Sequence, residues 1–184
     1  MLKQEINHSQ TSFLTADWAA PAHVKTLITT RQGGVSEGVY HSLNVGAHVG
    51  DQAERVAANR AWVQQHVSVP IAYLNQVHSP DVVQAVSSLT LPATADASVD
   101  NTGQAACAVM TADCLPVLLC DRAGTVVAAA HAGWRGLVAG VLEQTVIAMK
   151  APPTEIMAYL GPAIGAEAFE VGQDVWDAFC SQYP

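Results

Sequence analysis

Apolar positions along the chain fall into short runs, and most of those runs are strand-sized rather than helix-sized. Branched residues alternate with polar ones over 24–30, which predicts a strand. Residues 73–78 and 81–86 predict two more, split by the Ser79-Pro80 turn, and 105–111 a further one. The runs 115–120 and 126–130 are almost wholly apolar and read as buried strands; 156–160 reads as the last strand. Helical spacing appears in three places. Asp51-Gln52-Ala53-Glu54 has the form of a capped start, with Asp51 as N-cap and Glu54 at the capping-box position. The helix it opens runs to about His66, with Ala53, Val56, Val63 and Val67 near one face. Residues 137–150 carry a stripe of Val138, Val141, Leu142, Thr145 and Met149, stopped by Pro152-Pro153. Residues 172–181 are also helical in pattern.

Several strands lie too close in sequence for helical crossovers. That predicts an α+β fold of mixed β-sheets flanked by helices, layered in an αββα-like way, rather than a doubly wound parallel sheet. No repeat or linker interrupts the 184 residues, so one domain over 1–184 is expected.

Composition narrows the function classes. Half the residues are hydrophobic and 13% are charged, which excludes a long disordered chain. A net charge of -8 with eight Lys and Arg argues against a nucleic-acid partner, because phosphate neutralisation needs a basic face. No apolar run approaches the roughly 20 residues of a membrane span. The leader Met-Leu-Lys-Gln-Glu-Ile-Asn-His lacks the apolar core of a signal peptide. The expectation is a cytoplasmic protein with reduced thiols. Its four cysteines, at 107, 114, 120 and 180, include no Cys-x-x-Cys pair, so any metal site must be assembled from distant parts of the chain. There is no Gly-x-Gly-x-x-Gly after a strand and no P-loop, which removes the usual dinucleotide and nucleotide phosphate sites.

His78, Cys114 and His131 share one description: a metal-ligand type at the end of an apolar strand, followed by a turn. Zinc accepts imidazole and thiolate, and catalytic zinc sites typically keep three protein ligands and one open position. Such a site activates water at neutral pH. Two other readings use the same residues. Cys114 with His131 or His78 could form a thiolate nucleophile pair, or a structural metal site could recruit Cys107 or Cys120 as a fourth ligand, although both look like core. Arg31, at the mouth of the Gly-rich loop 31–38, and Arg135, between Gly133 and Gly136, could hold an anion such as phosphate or make a surface salt bridge. Asn44 reads locally as a turn residue.

Taken together, several stretches resemble one family. They are Thr-Arg-Gln-Gly-Gly-Val-Ser at 30–36, Ser-Leu-Asn-Val-Gly-Ala-His-Val-Gly-Asp at 42–51, Asn59-Arg60, Gln76-Val77-His78, Thr-Ala-Asp-Cys-Leu-Pro-Val at 111–117, His-Ala-Gly-Trp-Arg-Gly at 131–136, Leu-Gly-Pro-Ala-Ile-Gly at 160–165 and Phe-Glu-Val-Gly at 169–172. In this order, and over nearly the whole chain, they resemble the multicopper polyphenol oxidase (laccase) domain family. That family is also described as zinc-dependent purine nucleoside phosphorylases and as peptidoglycan editing factor.

The resemblance implies His78, Cys114 and His131 as metal ligands, with zinc as the cofactor and copper as the other candidate. It implies a cytoplasmic enzyme that cleaves purine nucleosides with phosphate and deaminates adenosine. Arg31, Asn44, Gln76 and Arg135 become the candidate substrate contacts, and Cys114, Asp113 and Glu170 the candidate catalytic groups. The copper-oxidase label fits poorly, since the chain has seven His and no His-x-His pair. Hydrolysis of mis-incorporated amino acids in peptidoglycan precursors is the alternative activity, and a non-catalytic metal-stabilised domain the third class. The family pattern continues into a further C-terminal segment with its own Cys- and Arg-containing motifs, so the sequence as given is expected to be C-terminally truncated.

Overall fold

A computed structural model describes residues 13–182; the N-terminal leader lies outside the described residues. The chain separates into two compact units, one of residues up to Asp17 with Lys25–Ser68, the other of Trp18–Val24 with the chain from Val69 onward.

In the first unit, β1 (Phe13–Leu14) pairs antiparallel with β2 (Ile28–Thr29), so among the described residues only two of the expected 24–30 strand enter a ladder. Helix α1 (Ala53–Gln64) buries Val56, Asn59, Trp62 and Val63, and Phe13 stacks on Trp62 at 5.1 Å between ring centroids. The expected cap fails. Gln52 occupies the N-cap position without a side-chain cap bond, because Asp51 is engaged elsewhere. Its carboxylate accepts the Ser36 hydroxyl at 2.6 Å and the Asn44 amide at 3.0 Å.

The second unit is built on a five-stranded mixed sheet. It is formed by β4 (Val82–Gln84), β5 (Ala97–Asp100), β7 (Leu115–Asp121), β8 (Val127–Ala132) and β9 (Ile156–Leu160), in the order β4-β5-β8-β7-β9. Only β4 and β5 run parallel; the other pairs are antiparallel. A two-stranded parallel pair, β3 (Ile71–Ala72) with β6 (Ala106–Cys107), lies in the same unit. The α+β class and the mixed strand order match the expectation.

Strand β8 is the spine. Alanine is a poor strand former, yet Ala128, Ala129, Ala130 and Ala132 are all buried here, because β5 and β7 pair both edges and the faces are covered. Small side chains let α3 (Val141–Met149) lie close, with Val141 and Met149 packed among Val99, Val117, Leu119, Ala128 and Ala130. The single helix expected over 137–150 is broken in two. A short α2 (Trp134–Val138) ends at Ala139, and Gly140 takes a left-handed φ of 92° before α3 begins. The last helix, α4 (Gln173–Gln182), matches the expected segment. Among the described residues no helix is long and apolar enough to cross a membrane.

Candidate metal centre

Three segments deliver the ligands, and none does so quite as the sequence pattern implies. His131 sits inside β8, opposite Pro116 of β7, rather than beyond a strand end. Cys114 precedes β7 instead of closing a strand. His78 lies in a turn with φ of 62°, a left-handed conformation uncommon for a non-glycine residue. The chain nevertheless brings the three together: one donor atom from each lies within 4.8 Å of the others. Cys114 Sγ is 3.8 Å from His78 Nε2, and the two imidazoles meet edge to face at 4.7 Å.

This donor set fits a metal ion. Tetrahedral zinc with bonds of about 2.0–2.3 Å needs ligand atoms roughly 3.3–3.8 Å apart, so the cluster is close to coordinating spacing. Burial is graded, with His131 buried, Cys114 half-buried and His78 exposed, which leaves the centre open to solvent on the His78 side. Gly133 provides the room. A Cβ there would fall 2.6 Å from His78 Cδ2 and 2.9 Å from Cys114 Sγ, so any side chain would displace two of the ligands.

One residue of this centre has no counterpart among the sequence candidates. Asp96 is fully buried just before β5, and its Oδ1 accepts His131 Nδ1 at 2.8 Å. The same carboxylate accepts the backbone N–H groups of Val77, His78 and Ser79 at 3.0, 2.9 and 2.7 Å. Burial alone would push its carboxyl upward, but the bonds from His131 and the three amides outweigh this and hold it below the usual carboxylate value. The sequence offered little signal, because Asp96 precedes the half-polar stretch Ala-Ser-Val-Asp at 97–100, which does not distinguish a buried carboxylate from a loop residue.

Cys114 Sγ stands beside His78 Nε2 and close to two carboxylates. Burial, reinforced by the carboxylates of Asp113 and Asp96, pushes its thiol upward. Cys107 Sγ meets the Val127 carbonyl at 3.7 Å, its thiol is pushed up to about 12 by burial, and it is absent from the His78–Cys114–His131 group. Cys120 is buried in β7. Neither cysteine supplies a fourth ligand.

The remaining candidates are placed unevenly. Asp113 is exposed beside Cys114, and its carbonyl accepts the Ile164 amide at 2.9 Å. Gln76 is committed to the chain itself: its amide donates to the Met110 carbonyl and accepts the Met110 N–H, both at 2.8 Å. That clamp ties the turn carrying His78 to the segment leading into Cys114. Arg135 is exposed on α2, its guanidinium 4.2 Å from the centroid of the Trp134 ring. Glu170 is exposed between β9 and α4. Arg31 and Asn44 belong to the first compact unit. There Arg31 donates to the His41 carbonyl through Nε at 2.9 Å, and Asn44 bonds Asp51 and the backbone of Gly46, the turn role its sequence suggested.

Comparison with known proteins gives a consistent picture. The sequence model of the family described as multi-copper polyphenol oxidoreductase laccase matches residues 25–184. A purine nucleoside phosphorylase of Pseudomonas aeruginosa is 52% identical over 172 residues, covering 94% of this chain and 70% of the relative. The purine nucleoside phosphorylase YfiH of Escherichia coli is 51% identical over 168 residues, covering 90% and 69%. The crystal structure of Neisseria meningitidis protein NMB0706 is similar with a TM-score of 0.92 and 70% identity, covering 94% of this chain and 71% of that one. The chain belongs to the family described as multi-copper polyphenol oxidoreductase laccase, and these two bacterial relatives carry the name purine nucleoside phosphorylase.

Proposed function

We propose that this protein is a zinc-dependent purine nucleoside phosphorylase that also deaminates adenosine. The observation that carries the reading is the three-ligand cluster of His78, Cys114 and His131, open on the His78 side and cleared by Gly133. Two imidazoles and a thiolate suit zinc and leave a position for a small molecule. Bound there, zinc would supply Lewis-acid polarisation and activation of water. The names of relatives at about half identity support the nucleoside substrate class.

In phosphorolysis a phosphate oxygen bonds to the ribose C1′ as the C1′–N bond to the purine breaks. The departing base takes the bonding electron pair and a proton, leaving ribose 1-phosphate. Deamination adds water to adenosine and releases ammonia and inosine. The exposed Arg135 guanidinium, its Cζ 4.2 Å from the Trp134 ring centroid, is suited to binding the phosphate. Arg31 is the second cationic candidate, though part of its fork is already occupied by the His41 carbonyl. Asp113, adjacent to a ligand, and Glu170 are the carboxylates to test for proton transfer.

A second reading, a Cys114 thiolate attacking an amide, draws on the same 3.8 Å approach of Cys114 Sγ to His78 Nε2. The deciding experiment measures inosine and adenosine turnover by the zinc-loaded protein with and without phosphate. Phosphate-dependent release of hypoxanthine from inosine, and ammonia release from adenosine, are expected. Absence of both, with zinc bound, would overturn the assignment.

A further inference from the structure

The two histidines of the cluster reach it by separate routes that meet at one carboxylate. Asp96 Oδ1 receives the imidazole Nδ1–H of His131 and the main-chain N–H of His78; Oδ2 receives the N–H groups of Val77 and Ser79. Four donors therefore saturate a side chain with no solvent exposure. The three successive amides form a nest around the anion. Closing that nest is what holds His78 at its positive φ, which a non-glycine residue otherwise avoids. On the other side, a carboxylate at Nδ1 requires the proton to reside there, leaving His131 Nε2 as an unprotonated donor for a cation. The main chain reinforces the link, since the His131 N–H donates to the Asp96 carbonyl at 2.7 Å.

We propose that Asp96 is the positioning residue of the metal centre, one buried carboxylate that sets the tautomer of His131 and builds the turn presenting His78. This rests on the reading of the cluster as a metal site. It makes the two imidazoles a coupled pair: the charge that orients one also folds the backbone of the other. Removing that charge should degrade metal binding without removing any ligand.

The test compares wild type with Asp96→Asn, which keeps the shape but replaces one accepting oxygen with a donating NH2. Whichever way the amide is turned, its NH2 faces two N–H donors, either those of Val77 and Ser79 or those of His78 and His131. Zinc affinity, measured by competition with a chromophoric chelator, should fall roughly 10- to 100-fold while the circular dichroism of the fold is retained. Nitrogen-15 NMR of the imidazoles in the metal-free wild type should show His131 as the Nδ1–H form. An affinity within about threefold of wild type, or His131 found as the Nε2–H form in wild type, would overturn the proposal. Should the variant fail to fold, the wild-type tautomer decides. A wild type that binds no zinc, yet shows the Nδ1–H tautomer, would instead sink the metal reading and leave the Asp96–His131 geometry standing.

Discussion

Gly133 illustrates how much of the site depends on what a residue lacks. Its missing Cβ is the space that His78 and Cys114 share. Gly133→Ala should weaken zinc binding by at least about tenfold in chelator competition, a loss of the size seen when ligand support is disturbed, with the fold unchanged by circular dichroism. Unaltered affinity would show that the ligands do not converge there. Arg135 carries a different prediction. If its guanidinium binds phosphate, Arg135→Ala should raise the phosphate KM roughly tenfold or more, as expected for one lost charge-assisted bond, and an unchanged KM excludes it. His78, Cys114 and His131 could be picked out in the sequence as metal-ligand residue types, but they do not sit at the strand ends expected to carry them. Asp96 could not be picked out, because its role depends on three amides at 77–79 and an imidazole 35 residues away. Gln76 shows the converse: a residue singled out for substrate spends its amide on the Met110 backbone.

At the level of elements, hydrophobic periodicity placed β7, β8, β9 and the helical segments. It left β5 (Ala97–Asp100) unpredicted and assigned a strand to 73–78, where only Asn75 makes an isolated bridge. Among the described residues the run at 24–30 supplies β2 alone, paired with Phe13 and Leu14. The stripe at 137–150 is continuous in sequence, yet Gly140 with its left-handed φ divides it into α2 and α3. The capping signal at Asp51 was real chemistry spent on another bond. Ser36 and Asn44 capture the carboxylate and, with its contact to the Gln52 N–H, hold it below the usual value. Asn59 completes that arrangement from α1. Its amide donates to the Ser36 hydroxyl and to the Ser42 and Asn44 carbonyls, and its oxygen accepts the Val35 N–H at 2.9 Å. Asn59 is fully buried, so Asn59→Ala would strand several polar groups away from water. A loss of about 2–4 kcal/mol in urea unfolding is expected; a loss below about 0.5 kcal/mol would show that this polar hub does not hold the loop 31–44.

Across the whole molecule, the buried carboxylates predict the acid limit of stability. Asp121 closes the β7–β8 turn, accepting the Thr125 N–H at 2.6 Å, the Thr125 hydroxyl at 2.7 Å and the Val126 N–H at 3.1 Å. Burial pushes its carboxyl upward, but these bonds prevail and the net shift is downward from 3.8. A carboxyl lower in the folded than in the unfolded state stabilises the fold above the unfolded value, and that contribution disappears as pH falls through the folded value. Melting temperature should therefore drop as pH falls below 3.8, and Asp121→Asn should flatten that dependence while lowering stability at neutral pH. A variant with the wild-type acid profile would remove Asp121 from the account. That His78, Cys114 and His131 hold a single metal ion is the central claim, and it rests on the gathering of their donor atoms within 4.8 Å of one another. The most direct test is the metal content of the purified chain beside that of Cys114→Ala. About one zinc per wild-type chain and almost none in the variant is the predicted result. A wild-type chain without metal under zinc-replete growth, or a variant that retains its full complement, would contradict it.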